Sequence, residues 1–284
     1  MTSLREIRKR LNSVKTIQQL TKAMEMVAAS RLHHVQLKIK QSRPFVAKIK
    51  KILDNLSQSV TDFTHPLLES REVKKIGVVI VAADMGLSGS YNWDIFSTAN
   101  KFLATLSKEK VELLLIGRKA SEYYTRHSWP IFYTLPEWGE KLSAPQVKTF
   151  ASQLVSWYLI GDFDEIWFVY THYMTMMTRK VLIEKFLNVV PDLHEAKQKD
   201  DYIFEPAPQE IYGELLLRYC LSKVQTILNE AYASELAARV FAMKAATTNA
   251  DDMIEKLTLV RNKVRQAGIT KEMLEITSGA EGLK

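Results

Sequence analysis

Hydrophobic positions recur every three or four residues at both ends of the chain. Leu4, Ile7, Leu11, Val14, Ile17, Leu20, Met24 and Val27 form one series, and Met253, Leu257, Val260, Val264 and Ala267 form the other. This spacing sets each series along one side of a helix. A stripe so narrow belongs to a coiled-coil seam rather than to the broad face of a helix lying on a globule. The helix breakers agree: no glycine precedes Gly77, no proline follows Pro208, and the interval between Gly213 and Gly268 holds neither. At the α-helical rise, Thr2 to Ser57 would make roughly 80 Å of helix and Gln209 to Thr277 roughly 100 Å. Neither fits inside a globule of 284 residues. The pattern therefore predicts an axle built from residues 1–60 and 208–284 of the two chain ends. Ser3 with Glu6 has capping-box spacing at its start. Pro44 should kink the first helix or interrupt it for a turn, after which Phe45, Ile49, Ile52, Leu53 and Leu56 resume the stripe.

The middle has a different texture. Thr61 to Glu72 reads as a linker, and Ile76 to Ala83 is a continuous apolar run of the kind that forms a strand buried on both faces. A turn from Asp84 to Asn92 leads into a helix predicted from about Trp93 to Leu106. Val111–Ile116 and Glu165–Tyr170 are further buried strands, Trp129–Leu135 a third strand candidate, and Gln146–Ile160 a helix. Lys180–Leu187 and Tyr202–Glu205 give weaker strand signals. Strands alternating with helices at this spacing predict a parallel-rich, Rossmann-like α/β domain over 74–206, inserted between the arms of a helical hairpin.

Charge adds one feature. Residues 1–51 carry thirteen Lys/Arg against two acids, a net of +11 in a chain whose total is +7. From Gln209 onward ten acids balance ten bases. Ion-paired helix faces carry both signs, so the basic N-terminal arm predicts an acidic partner, either nucleic acid or an acidic protein loop. It carries no aromatic residue before Phe45 for stacking on bases.

The search for chemistry finds no catalytic constellation. The turn after the first strand lacks the P-loop lysine, has GxxG where a dinucleotide fingerprint needs GxGxxG, and reads Gly86-Leu-Ser88-Gly89, one residue short of a nucleophile elbow. Its glycines are accounted for by a tight strand-to-helix turn capped by Asp84 or Ser90, so the chain is expected to bind no ATP on its own. His33 and His34 point about 100° apart on a helix, and His127, His172 and His194 stand singly. Met174, Met176 and Met177 are expected to fill sheet packing. The single cysteine, Cys220, excludes an internal disulfide and sits among Leu217, Tyr219 and Leu221, so it should be buried. Alanines 231, 233, 237, 238, 242, 245, 246 and 250 keep one stretch of the last helix slim, through helix propensity or for close approach of a neighbour. No metal or cofactor is expected.

Two long motifs at the ends then carry a resemblance. Leu20-Thr-Lys-Ala-Met-Glu-Met-Val-Ala-Ala-Ser30 with Ser42-Arg-Pro44 resembles the N-terminal signature of the gamma subunits of F-type ATP synthases. Ala242-Met-Lys-Ala-Ala-Thr-Thr-Asn249, Asn262–Thr270 and Glu275–Ala280 are similar to the C-terminal one, and Asp84–Gly89 and Asp201–Pro206 extend the likeness through the middle. The resemblance implies a non-catalytic rotor, the central stalk. Its terminal helices would form a left-handed antiparallel coiled coil inside a ring of alpha and beta subunits. Its α/β domain would lie against the epsilon subunit and the c-subunit ring. Ion flow would turn the axle and drive the catalytic sites of other subunits through their states. By position, Arg265 and Gln266 match the family's polar catch on acidic loops of a catalytic subunit, Lys22 and Met24 lie on the segment facing those loops, and Tyr202 and Glu205 match the foot near the c ring and epsilon. Ser88 stands where relatives carry other small residues. The two-cysteine insertion of the chloroplast form is absent, and no transit segment is recognisable, so a peripheral place on the cytoplasmic face of a bacterial inner membrane is expected. The competing readings are a non-enzymatic coiled-coil scaffold or nucleic-acid-binding protein, and an α/β enzyme.

Overall fold

The computed structural model describes residues 4–59, 65–139, 143–190 and 208–281 of the 284. Among these described residues eleven elements include two long helices, α1 (Leu4–Ser59) and α5 (Pro208–Glu281). Between them lie strands β1 (Ile76–Val81), β2 (Val111–Ile116), β3 (Ile131–Leu135), β4 (Glu165–Tyr173) and β5 (Arg179–Leu187). Three shorter α-helices, α2 (Tyr91–Leu103), α3 (Arg118–Arg126) and α4 (Ala144–Ile160), and one short 3-10 turn (Lys108–Lys110) complete the set. The chain thus joins long terminal helices to a central mixed sheet. It divides into two compact units, Met1–Ala29 with Arg239–Lys284, and Ser30–Ala238.

In the terminal unit α1 and α5 run antiparallel. The Gln18 side-chain amide donates to the Asp251 carboxylate, and the hydroxyls of Thr21 and Thr247 are 2.9 Å apart. The inward positions of α1 are Ile7, Leu11, Val14, Gln18, Thr21, Glu25 and Ala28, and those of α5 are Met243, Thr247, Ala250, Ile254, Leu257, Arg261 and Val264. Both sets step strictly by four and three, the seven-residue repeat of a coiled-coil seam. This corrects the seam expected from the apolar series. Ile17, Leu20 and Val27 are 52%, 54% and 50% exposed, and Met253 and Val260 are 52% and 47% exposed. After Val14 the repeat calls for a step of four, and that lands on Gln18 rather than Ile17. Beyond Val264, every residue from Arg265 to Ser278 is exposed.

The second unit is built on the sheet, in the order β3-β2-β1-β4-β5. β1 pairs parallel with β2 and β4, β2 with β3, and only β5 is antiparallel, as the partner of β4 in a hairpin. Because side chains alternate along a strand, β1 feeds two cores. Val78 and Ile80 pack with Tyr91, Ile95 and Ala99 of α2 and Ala120 and Tyr124 of α3. Val79 and Val81 face α4 (Phe150, Leu154, Tyr158), the α1 residues Ile49, Leu53 and Leu56, and Tyr212, Leu216 and Val224 of α5. Burial on both faces is why β1 reads as an unbroken apolar run and β2 as one interrupted only by the half-buried Glu112. The α1 seam continues here in the same register through Leu32, Val35, Ile39, Ser42, Val46, Ile49, Leu53 and Leu56.

Pro44 does not interrupt α1, which is helical on both sides of it. The ring sits on the exposed side of the helix, while Val46 and Ile49 are buried. Proline cannot make its helical hydrogen bond, and the buried Val46 and Ile49 just beyond it pack into the core below the sheet.

Candidate functional site

The strand-to-helix turn organises the carboxyl ends of β1 to β3. Asp84 caps no helix of its own; its carboxylate accepts from the backbone N–H of Arg118 at 3.1 Å and of Glu137 at 2.9 Å, tying the turn to α3 and to the end of β3. Ser90 precedes α2 without capping it, and its hydroxyl donates to Asp94 instead at 2.8 Å. Both capping assignments are thereby corrected: Asn92 ties the turn back to the residues after β1, its side-chain oxygen accepting from Ala83 N–H at 3.0 Å. Ser88 is 2% exposed and its hydroxyl has no hydrogen-bond partner among the described residues, so no base is in reach to make it a nucleophile. The Gly117 backbone is left-handed at φ +93°, and a Cβ there would stand 2.2 Å from the Ala82 carbonyl oxygen. That close approach lets β2 turn into α3 beside β1.

Met174, Met176 and Met177 are not packed into the sheet, as sequence had suggested. They occupy the β4–β5 turn and are 56%, 47% and 80% exposed. Cys220 is fully buried, and burial pushes its thiol up to about 12. No group of three or more His, Cys, Asp or Glu among the described residues could hold a metal ion, and no described helix is long and apolar enough to cross a membrane.

The positions singled out by resemblance fall at two levels of the terminal unit. Lys22 is exposed, with its ammonium 3.3 Å from the Glu25 carboxylate, one turn along α1. Met24 is half-buried beside the seam rather than on it, because the seam passes through Thr21 and Glu25. Arg265 and Gln266 are exposed on α5 immediately after Val264, the last inward residue. The structure therefore does not bring these two pairs together; the chain presents them separately to its surroundings. Tyr202 and Glu205, and the strand expected there, lie outside the described residues, as does the Ser3 cap.

Sequence reasoning missed one polar cluster in the second unit. Glu230 on α5 is 4% exposed. Arg43 on α1 donates to it from Nε at 2.8 Å, and Nδ1 of His172 on β4 bonds its other oxygen. Arg43 also donates to the carbonyl of Tyr173, whose hydroxyl accepts from the Gln36 amide at 2.6 Å. Burial pushes the Glu230 carboxyl up, but the bonds from His172 and Arg43 outweigh it and hold the group below the usual carboxylate range. The available signal was an acid inside an otherwise apolar and alanine-rich helical stretch.

Comparison with known proteins covers the chain from end to end. The family model described as ATP synthase matches residues 3–283. The ATP synthase gamma chain of Protochlamydia amoebophila is 70% identical over 285 aligned residues, covering 100% of both proteins. That of Moorella thermoacetica is 38% identical, again with 100% of both covered. Among solved structures, the fold is similar to a chain of the Euglena gracilis mitochondrial ATP synthase OSCP/F1/c-ring structure, with TM-score 0.67, 16% identity, 99% of this chain and 94% of that one covered. It is also similar to a chain of the Tetrahymena thermophila mitochondrial ATP synthase central stalk/c-ring structure, with TM-score 0.59, 21% identity, and 80% and 99% covered. With a family match over nearly every residue and relatives aligned along their full length, this chain belongs to the gamma-subunit family of F-type ATP synthases.

Proposed function

We propose that this chain is the central-stalk rotor of an F-type ATP synthase. It couples ion translocation through the membrane sector to conformational change at catalytic sites on other subunits, and itself performs no chemistry. Residues 1–60 and 208–284 act as the axle and 74–206 as the domain that engages the rest of the rotor. Its partners are the alpha and beta subunits of the catalytic ring, the epsilon subunit and the c ring. It is held peripherally at the cytoplasmic face of the membrane through them. Lys22, Met24, Arg265 and Gln266 contact the catalytic ring, and Tyr202 and Glu205 belong to the foot.

The observation that carries this reading is the uncovered end of α5. Past Val264, the last inward residue, α5 continues as helix with every described side chain from Arg265 to Ser278 exposed, including Ile269, Met273 and Ile276. An apolar helical stripe left bare by its own chain suits a surrounding partner. At its base, the guanidinium fork of Arg265 suits a carboxylate, and Gln266 can both donate and accept. A latch of this kind must release on every turn, so its strength should be of the order of a few kcal/mol. The test is the Arg265→Ala, Gln266→Ala double variant in purified complexes matched for subunit content. Steady ATP hydrolysis and synthesis should fall by a large factor at unchanged assembly. Equal rates in the two complexes would remove the latch.

A further inference from the structure

The continuity of α1 through Pro44 asks for a physical cause. Proline lacks the N–H that would bond the Lys40 carbonyl, its ring crowds that carbonyl, and it disfavours helical backbone at the residue before it, Arg43. All three effects act within one turn, on residues whose side chains at 40, 41, 44 and 45 are exposed and supply little packing. Yet the helix is unbroken, and the residue bearing the steric conflict is the one tied down most firmly. Arg43 makes a charge-assisted bond to Glu230 on α5 and a second bond to the Tyr173 carbonyl at the end of β4. Glu230 is itself fixed from the other side by His172, so the anchor is a buried carboxylate held between two elements. Gln36, two turns earlier on α1, bonds the Tyr173 hydroxyl and grips the same strand end.

We infer that Arg43 is a positioning residue: the Arg43–Glu230–His172 clamp, with the Tyr173 carbonyl, holds α1 helical through Pro44 and so joins the two long helices to the sheet as one stiff joint. A helix that must carry torque fails first where its hydrogen-bond ladder is broken, and the clamp stands at that turn. Its consequence for coupling rests on the axle reading above; the clamp itself does not.

The experiment uses the assembled complex with Arg43→Gln, Pro44→Ala and the Arg43→Gln, Pro44→Ala double variant. Backbone hydrogen exchange is followed over residues 36–50, with ATP-driven ion pumping measured on the same samples. Arg43→Gln should speed exchange there by about tenfold or more, the equivalent of one lost charge-assisted bond. The double variant should return to the native rate, because without proline the helix no longer needs the clamp. A merely structural salt bridge would not be rescued by a change at its neighbour. Unchanged exchange in Arg43→Gln, or failure of Pro44→Ala to restore it, overturns the inference. Exchange that responds as stated while pumping does not leaves the clamp standing and removes the axle reading. If Arg43→Gln prevents assembly by stranding the Glu230 charge, the Arg43→Gln, Glu230→Gln pair, with and without Pro44→Ala, is measured under the same criteria.

Discussion

Two leucines on one helix separate the seam in the structure from the apolar series. Leu11 is 4% exposed on the seam of α1, and Leu20 is 54% exposed beside it. Leu→Ala removes three carbon atoms, each worth about 0.8 kcal/mol when buried, so Leu11→Ala should cost about 2.4 kcal/mol before any cavity term. A two-helix seam is open at its edges and can close around the loss, so the cavity term should be small. Leu20 keeps about half its surface in water and leaves no cavity, which brings its loss to about 1 kcal/mol. Alanine's better helix propensity offsets a little of both. Native-state hydrogen exchange of backbone amides in residues 4–29 of the purified chain reads the opening free energy of this segment directly. Leu11→Ala should speed exchange about 50-fold and Leu20→Ala about fivefold. Equal acceleration, or a larger effect at Leu20, would refute the four-three register and restore the simple apolar stripe.

Other expectations follow from single positions. Met24→Lys places a cation beside the seam and should impair coupling more than assembly, by about 1–3 kcal/mol of altered rotor–stator balance; ATP-driven ion pumping unchanged at normal assembly would count against Met24 lying at that contact. Gly117→Ala forces a Cβ against the Ala82 carbonyl at 2.2 Å and should cost about 3 kcal/mol. Gly161→Ala, also left-handed at φ +94° but with nothing within 4 Å, should cost about 1 kcal/mol, so comparable thermal melting of the two would discredit the steric argument. Cys220 should resist thiol reagents at pH 8 until the chain unfolds. Its raised folded-state pKa contributes stability that is fully present below 9.0, the ordinary thiol value, and is lost as pH rises toward about 12. Rapid labelling of the native protein would contradict its burial.

How much of this was legible depends on whether one residue's neighbours in sequence are also its neighbours in space. β1, β2 and β4 could be read because a strand buried on both faces is mostly apolar, and each carries an apolar run, Ile76–Val81, Leu113–Ile116 and Ile166–Tyr170. The long helices could be read from missing breakers. The seam register could not, because its middle positions on α1 are Gln18, Thr21 and Glu25, and counting apolar residues leads onto Ile17 and Leu20 instead. That α1 runs on as helix through Pro44 could not be read either, since local propensity says nothing of partners such as Glu230, 187 residues from Arg43. The methionines of the β4–β5 turn were assigned to packing because softness and size suggest it, while only the hairpin geometry leaves them outside. Of the candidate site, the placement of Arg265 and Gln266 at the end of the α1 pairing needed the register as well as the motif.

That misreading has a physical meaning. In a coiled coil that stands alone, the seam takes the apolar residues and the outside takes the polar ones. Here the α1 seam passes through Gln18, Thr21 and Glu25, facing Thr247 and Asp251 of α5, while Ile17, Leu20, Met26 and Val27 point outward. Arg5, Arg8, Lys9, Arg10 and Lys15 are exposed too, and none makes an ion pair with another described residue. The pair therefore gives up internal burial, each exposed aliphatic side chain forgoing up to about 2 kcal/mol, and turns both its apolar and its cationic groups toward whatever surrounds it. An isolated rod gains nothing from this arrangement. An axle inside a ring does, because hydrophobic contact is non-directional and persists as the axle turns, whereas charges and a few polar latches mark the stopping angles. On that argument we expect the rotor to meet its housing along the weak points of the seam, beside which Lys22 and Met24 lie, and again past Val264, where Arg265 is exposed.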